Sequence, residues 1–177
     1  MKLVEENNRI LTKKCIPFDF ENPVMDPYEL SDTLHKIRRE GGGIGLAAPQ
    51  VGIDTQALVI GMGNFETKEA QEFEQIFFNP VITSYGEDTE LVIEGCLSFP
   101  GLFIKIRRPK DIVMEWYTEE GTWVTQNFGE MTSRILQHEV DHLNGITFQT
   151  KAHRHHLEKA KKDRKLSDRR RKKIEEE

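Results

Sequence analysis

Two histidines stand four residues apart, with a glutamate directly after the first, in the stretch LQHEVDHLNG at positions 136–145. An α-helix turns once every 3.6 residues, so His138 and His142 would project from one face and could place two ring nitrogens on one metal ion. Glu139 would lie one step around the helix, close enough to take a proton from a water at the metal without being a ligand. The alternative is an amphipathic helix that carries two histidines by chance. Burying these side chains without partners would be costly, so the apolar residues around them favour a metal site.

A catalytic site of this kind has three protein ligands and one position open for water, so a third ligand is needed. The candidates downstream of the helix all lie in a basic tail: His153, His155, His156 and Glu158. None of them has the spacing of the longer metalloprotease patterns. The better candidate is Cys96, in the turn-forming stretch EGCLSFPG at 94–101, because a metal held by the helix would deprotonate and bind its thiol. Taken by itself, Cys96 is better explained as a structural thiol, which is also how we interpret Cys15.

A glycine-rich stretch, GGGIGLAAPQVG at 41–52, is the third candidate for chemistry. It is not a phosphate loop, because Leu46 replaces the last glycine of G-x-G-x-x-G and the G-K-[ST] ending is absent. Its backbone can approach a ligand closely, and the amide of Gln50 can donate to a negatively charged oxygen. A plain linker between a helix and a strand would explain the glycines but not the whole string.

The rest of the chain must position these residues, and its pattern predicts the elements that do so. Asp26 can cap a helix that begins at Pro27 and ends at the glycines 41–43. The strongest helical pattern runs over 130–145 and carries the H-E-x-x-H motif. Branched and aromatic residues predict strands in four segments: 57–62, 75–85, 102–109 and 111–128. A polar loop is predicted at 63–75, and a hairpin turn at 118–122 divides the last segment. This order predicts an α+β domain with mainly antiparallel sheets packed around the central helix.

Composition limits the class of protein. The 177 residues are 37% hydrophobic and 31% charged, and no apolar run approaches the roughly 20 residues of a membrane span. The start, MKLVEENNRI, lacks the apolar core of a secretory signal, so we expect a cytoplasmic protein. With only two cysteines, no disulfide framework is expected.

The charges are unevenly distributed. Residues 151–177 hold 12 Lys/Arg against 6 Asp/Glu, whereas residues 1–150 hold 13 against 24. The tail has too few large apolar residues to build a core of its own. We therefore expect a catalytic domain at 1–150 and a basic tail at 151–177 that is helical or partly disordered.

Three stretches in this order resemble the signature motifs of the peptide deformylase family: GIGLAAPQ, EGCLS and QHEVDHLNG. The resemblance extends from about residue 10 to residue 148, and EGCLSFPG followed by RRP is similar to the branch that includes organellar and many bacterial enzymes. It implies an enzyme that removes the formyl group from N-formylmethionine on newly made polypeptides and releases formate. It also implies one divalent metal, natively Fe²⁺, with Zn²⁺, Ni²⁺ or Co²⁺ able to substitute.

The resemblance also implies roles for individual residues. The metal ligands would be Cys96, His138 and His142, and Glu139 would be the proton shuttle. Gln50 and the backbone N–H of Leu97 would bind the oxyanion, and Gly45 would pair with the substrate backbone as an added strand. The methionine side chain would enter an apolar pocket with these walls: Ile44, Val92, Met131, Ile135 and His138. Arg134 is typical of the same branch, and its alternative interpretation is a simple surface charge.

Two other functions remain open at this point. A conventional metalloprotease that uses only H-E-x-x-H would not need Cys96, so Cys96→Ser would keep its metal. A metal-stabilised RNA-binding accessory protein would tolerate Glu139→Ala.

The expected partners are N-formylmethionyl nascent peptides, and the chain is expected to be a monomer without membrane contact. Some relatives dock a C-terminal helix on the ribosome, which the basic tail would suit, but a solvated, frayed helix explains the tail as well.

Overall fold

A computed structural model describes residues 1–62 and 73–175. Its helices are α1 (Pro27–Glu40), α2 (Glu130–Leu143) and α3 (Arg154–Glu175), with single 3-10 turns at Arg9–Thr12, Ala48–Val51 and Phe148–Lys151. Its strands are β1 (Gly45–Ala47), β2 (Ala57–Met62), β3 (Phe73–Tyr85), β4 (Thr89–Glu94), β5 (Ile104–Pro109), β6 (Ile112–Tyr117) and β7 (Trp123–Phe128). One antiparallel sheet has the order β1-β2-β3-β6-β7, and β4 pairs with β5 in a second. The predicted α+β class with mainly antiparallel sheets is confirmed.

A local sequence signal sets the start of the first helix. One carboxylate oxygen of Asp26 accepts hydrogen bonds from the backbone N–H groups of Tyr28 and Glu29, at 3.0 and 3.1 Å. These groups would otherwise lack partners in the first turn, so the cap fixes the start of α1. Strand β2 and helix α2 also lie where their patterns predict them.

The predicted polar loop at 63–75 is wrong at Phe73 and Glu74, which lie in a strand, as Gln75 was also predicted to do. Strand β3 already begins at Phe73, which pairs with Met62 at the far end of the β2–β3 ladder. The polar Glu74 fits there because its carboxylate bonds to the guanidinium groups of Arg38 and Arg39. Residues 63–72, the rest of the predicted loop, lie outside the described residues.

Helix α2 is buried between the two sheets. Every residue over 133–143 is buried, including its polar ones. Its apolar side chains pack in one cluster with Leu58 and Ile60 of β2 and with Phe77 of β3. The alternate β2 residues Ala57 and Val59 face the other way and pack against α1. The H-E-x-x-H helix therefore lies in the centre of the molecule, as predicted.

Cys15 belongs to the same core as α2. Its side chain is 3% exposed, and burial raises the pKa of its thiol to about 11. Its backbone N–H donates to the carbonyl of Leu143 at 2.8 Å, which ties the N-terminal segment to the end of α2. Cys15 is therefore a structural thiol.

The tail is helical over Arg154–Glu175 as α3, and its first turns pack on the body. Leu157 and the buried Ala160 join a cluster with Ile104 of β5 and with Phe148. The guanidinium of Arg164 also bonds to the carboxylate of Glu6, at 2.6 and 3.1 Å. These two apolar residues are enough to pack α3 on the body because they complete a core that other elements have already formed. The division of the chain at residue 150 stays a prediction.

None of the helices in the described part of the chain is both long and apolar enough to cross a membrane.

Candidate metal centre and active site

Three potential metal ligands meet where α2 passes the turn after β4. The sulfur of Cys96 and ring nitrogens of His138 and His142 all lie within 4.8 Å of one another. The Cys96 sulfur is 3.2 Å from Nε2 of His142. Ligand atoms that share one ion at bonds of about 2.0–2.3 Å must lie at separations of this order. The arrangement predicted from distant parts of the sequence is therefore present in the fold.

A carboxylate orients the imidazole ring of His138, whereas the outer nitrogen of His142 has no such partner in the described part of the chain. Nδ1 of His138 lies 3.0 Å from a carboxylate oxygen of Glu94, which leaves its Nε2 for the shared site. Nδ1 of His142 is buried without a hydrogen-bond partner among the described residues. A carboxylate behind a ligating histidine is a common second partner in metal sites, because it fixes the tautomer and ring orientation.

The two histidines differ in pKa, and the cause is their surroundings. Burial lowers the pKa of His138, but hydrogen bonds with Cys96 and Glu94 outweigh it and raise the pKa to about 10. Burial, followed by the positive charges of His138 and Arg108, holds the pKa of His142 well below its usual value. A metal ion binds the same lone pairs that protons occupy here, and metal binding at such a site releases protons. The donor set of one thiolate and two imidazoles therefore fits a divalent transition metal.

Glu139 lies beside this cluster without belonging to it. Its side chain is buried, and one of its carboxylate oxygens has no hydrogen-bond partner within the described residues. Burial raises the pKa of Glu139 to about 7. A carboxyl group with a pKa near neutrality can both accept and return a proton.

Gly45 leaves the space that Glu139 occupies. A Cβ at position 45 would lie 2.9 Å from the carboxyl carbon of Glu139, closer than real contacts allow. The N–H of Gly61 donates to the carbonyl of Ile44 at 2.9 Å, so this pair is a hydrogen-bonded pair of the β1–β2 ladder. Because such pairs alternate in antiparallel sheets, the N–H and C=O of Gly45 point away from β2. Strand β1 is an edge of the described sheet, so these groups face the cavity side.

Gln50 is fixed by bonds at both ends of its amide. Its Oε1 accepts from the N–H of Ala47 at 2.8 Å, and its Nε2 donates to the hydroxyl of Ser98 at 3.1 Å. The same Nε2 lies 3.5 Å from the sulfur of Cys96. The backbone N–H of Leu97 has no acceptor within the described ranges. Both predicted oxyanion donors therefore lie next to the ligand cluster.

A cavity of about 620 Å³ opens onto these groups. Four of the five predicted pocket residues line it: Ile135 and His138 are buried there, while Ile44 and Met131 are exposed. Val92 does not line it. In β4 successive side chains alternate, and Val92 is half-buried opposite Ile106, whereas its neighbour Ile93 lines the cavity.

The motifs and the fold together match known proteins. The family model described as polypeptide deformylase matches residues 1–158. The chain belongs to this family. Its sequence is 39% identical over 127 residues to the peptide deformylase of Synechocystis, an alignment that spans 68% of this chain and 66% of the relative, slightly less than two thirds.

Solved peptide deformylases share the fold over most of the chain. The Plasmodium falciparum structure has a TM-score of 0.83 and 32% identity, with 97% of each chain covered. The class I type b structure from Acinetobacter baumannii, with Met-Ala-Ser bound, has a TM-score of 0.77 and 30% identity and covers 85% of this chain and 97% of that one.

A buried charge network supports the deformylase-type site, and the motifs only partly indicate it. Arg134 is 6% exposed and donates to Glu94 at 2.7 Å, so it is not a surface charge. Arg108 donates to Glu94 at 2.7 and 3.1 Å and to Asp141 at 2.8 Å. Burial raises the pKa of Glu94, but hydrogen bonds from His138 and Arg108 outweigh it and lower the pKa to about 2. Glu94 therefore stays ionised behind His138.

Sequence reasoning missed Glu94, Arg108 and Asp141 as parts of the site. A signal was present, because Arg108 continues the inward-facing alternation of Ile104 and Ile106 along β5. A charged residue at an inward strand position indicates a buried partner. Glu94 and Asp141, the latter within the apolar pattern of α2, are those partners.

Proposed function

We propose that this chain is a metal-dependent hydrolase that removes the formyl group from N-formylmethionine at the start of newly made polypeptides and releases formate. The observation that carries the proposal is the meeting of one cysteine sulfur and two histidine nitrogens within 4.8 Å at a cavity of about 620 Å³. Glu139, buried beside them, supplies the proton-transfer group that a hydrolase needs. Membership of the polypeptide deformylase family supports the same reaction.

The metal would be held by Cys96, His138 and His142. One thiolate and two imidazoles suit a divalent transition metal; the resemblance to the deformylase family implies Fe²⁺ as the native ion, with Zn²⁺, Ni²⁺ or Co²⁺ as substitutes. When bound, the metal supplies a Lewis acid that polarises the formyl oxygen and lowers the pKa of water. Oxidation of the ion or of Cys96 should end activity, so the enzyme should be oxygen-sensitive.

The chain's own groups carry the proton and stabilise the developing charge. Glu139 takes a proton from the water that attacks the formyl carbon and returns it to the methionine nitrogen as the C–N bond breaks. The Nε2 of Gln50 and the N–H of Leu97 donate to the formyl oxygen as negative charge builds on it. The products are formate and a free N-terminal methionine.

The substrate would bind as an extra strand beside β1. The outward N–H and C=O of Gly45 offer one backbone pair to an extended peptide, in the manner of β-augmentation. The methionine side chain then enters the apolar part of the cavity at Ile44, Met131 and Ile135. The Met-Ala-Ser bound to the Acinetobacter baumannii enzyme is chemically the product of such a substrate.

A formate-release assay on formyl-Met-Ala-Ser, run anaerobically with Fe²⁺ added back, tests this function. We expect release by the unaltered chain and loss of metal in Cys96→Ser. Retention of full metal content in Cys96→Ser would favour the conventional metalloprotease. Full activity of Glu139→Ala would contradict the proposed reaction and favour a non-enzymatic role.

The ribosome is the proposed macromolecular partner, through the outer surface of α3. Exposed cations crowd the second half of this helix: Lys165, Arg169, Arg170, Lys172 and Lys173. Cosedimentation with ribosomes should weaken in Arg169→Glu/Arg170→Glu/Lys173→Glu and at high salt, because phosphate contacts release counterions. If the triple variant and the unaltered chain bind ribosomes with equal affinity at low salt, α3 does not contact the ribosome. The monomeric state and the cytoplasmic location stay predictions.

A further inference from the structure

A second cavity, of about 450 Å³, lies next to the candidate active site. It runs between Lys105 on β5 and the α3 residues 155–167, and we call it the α3 groove. Ile93, Gly101 and Phe103 line both this groove and the active-site cavity. The two cavities therefore share a wall, and an extended ligand can pass from one to the other.

The shared wall is apolar and exposed. Phe103 is 63% exposed and Ile93 is 57% exposed, although both lie in a region where neighbouring β5 side chains are buried. The ring of Phe103 lies against Gly95, since a Cβ there would come within 2.8 Å of it. Gly95 directly precedes Cys96, so this apolar surface leads from the ligand turn into the α3 groove.

The α3 groove carries unpaired positive charge. Lys105 and Lys159 form no ion pair with any described residue. The charge of Arg164 is offset by Glu6, and Asp163 is the acidic side chain on the described wall. Burial, and then the nearby His155, lower the pKa of His156, and Lys105 and Lys159 contribute to the same shift.

We propose that the α3 groove binds the polypeptide segment downstream of the formylmethionine and selects substrates that carry acidic residues there. This proposal rests on the proposed deformylase function. Gly45 of β1 lines the same cavity as the shared-wall residues Ile93 and Phe103, so a peptide bound beside β1 that extends across this cavity meets the α3 groove. Nucleic acid is a poorer fit, because the entrance to the α3 groove is the apolar pair Ile93 and Phe103.

The test compares two peptides that differ only in charge: formyl-Met-Ala-Ser followed by four glutamates or by four glutamines. We expect kcat/KM to favour the glutamate peptide by about twofold to fivefold, the range of one or two exposed ion pairs. The preference should shrink in 0.5 M salt, because the Debye length falls from about 30 Å at 0.01 M salt to roughly 4 Å. Lys159→Glu and Lys105→Glu should abolish or reverse it, and unchanged thermal unfolding would show that these variants fold.

Lys165→Glu is the matched control on the same helix. At 100° per residue Lys165 lies nearly opposite the groove-facing residues of α3, so the same charge change there should leave the preference intact. Equal kcat/KM for the two peptides in the unaltered chain would overturn the groove proposal while leaving the deformylase function standing. No formate from either peptide would instead contradict the function itself. Lys105→Glu and Lys159→Glu variants that lose ribosome affinity but keep the peptide preference would assign the groove to RNA and overturn the proposal.

Discussion

At the scale of single residues, the proposed reaction depends on a carboxyl group that can change its protonation state. Glu139 is buried among groups of the site but is not bonded at one of its oxygens within the described residues. Its raised pKa follows from burial, and its position follows from the helix that also carries both histidines. The residue can therefore move a proton without leaving its place.

Glu139→Gln should lower kcat for formate release by about a hundredfold to ten-thousandfold, because glutamine keeps the shape but cannot carry the proton. Metal content should not change, since Glu139 is not a predicted ligand. Glu130→Gln, an exposed change on the same helix, is the control and should retain activity. A Glu139→Gln variant with near-normal kcat would remove the proposed proton shuttle.

Gly45→Ala tests the close approach of β1 to Glu139. The added Cβ overlaps the carboxyl group, so either the strand or Glu139 must move, at a cost of about 1–3 kcal/mol of stability. We expect a strong loss of formate release together with a lower free energy of unfolding in urea. Gly43→Ala is a gentler comparison because its Cβ meets the movable end of Leu97, and equal effects of the two variants would contradict this account.

At the scale of elements, helix α2 and the β4–β5 hairpin are joined by buried charges rather than by apolar packing alone. Arg134 links the helix to Glu94 and also donates to the carbonyl of Ile106 at 3.1 Å. Because Glu94 bonds His138 in turn, the same contacts hold the hairpin and orient a metal ligand. A change in this network should affect stability and the site together.

Arg134→Met should lower the free energy of unfolding of the metal-free protein by about 3–5 kcal/mol, since it leaves Glu94 with one fewer buried partner. Urea unfolding measures the loss. Arg169→Met, on the exposed part of α3, should change stability by no more than about 0.5 kcal/mol. An Arg134→Met variant as stable as the unaltered chain would show that this contact contributes nothing.

At the scale of the whole molecule, features with a local cause could be predicted from the sequence. Asp26 and Pro27 mark the start of α1, and the periodicity around His138 marks α2, because caps and apolar spacing act within a few residues. Strand β4 was not predicted, since most of its side chains are exposed and its alternation is weak. The packing of α3 could not be predicted either, because Leu157 and Ala160 have meaning only beside a core built by other elements.

The same distinction applies to the site. Its motifs indicated Cys96, His138 and Glu139, but the partners of these residues come from tertiary contacts. The placement of Ile93 rather than Val92 at the cavity depends on the strand register, which a single sequence does not show.

X-ray absorption spectroscopy of the zinc-loaded protein tests the central claim most directly. We expect one ion per chain with one sulfur at about 2.3 Å and two imidazole nitrogens at about 2.0–2.1 Å, and loss of the sulfur signal in Cys96→Ser. A spectrum of nitrogen and oxygen ligands alone in the unaltered chain would contradict it.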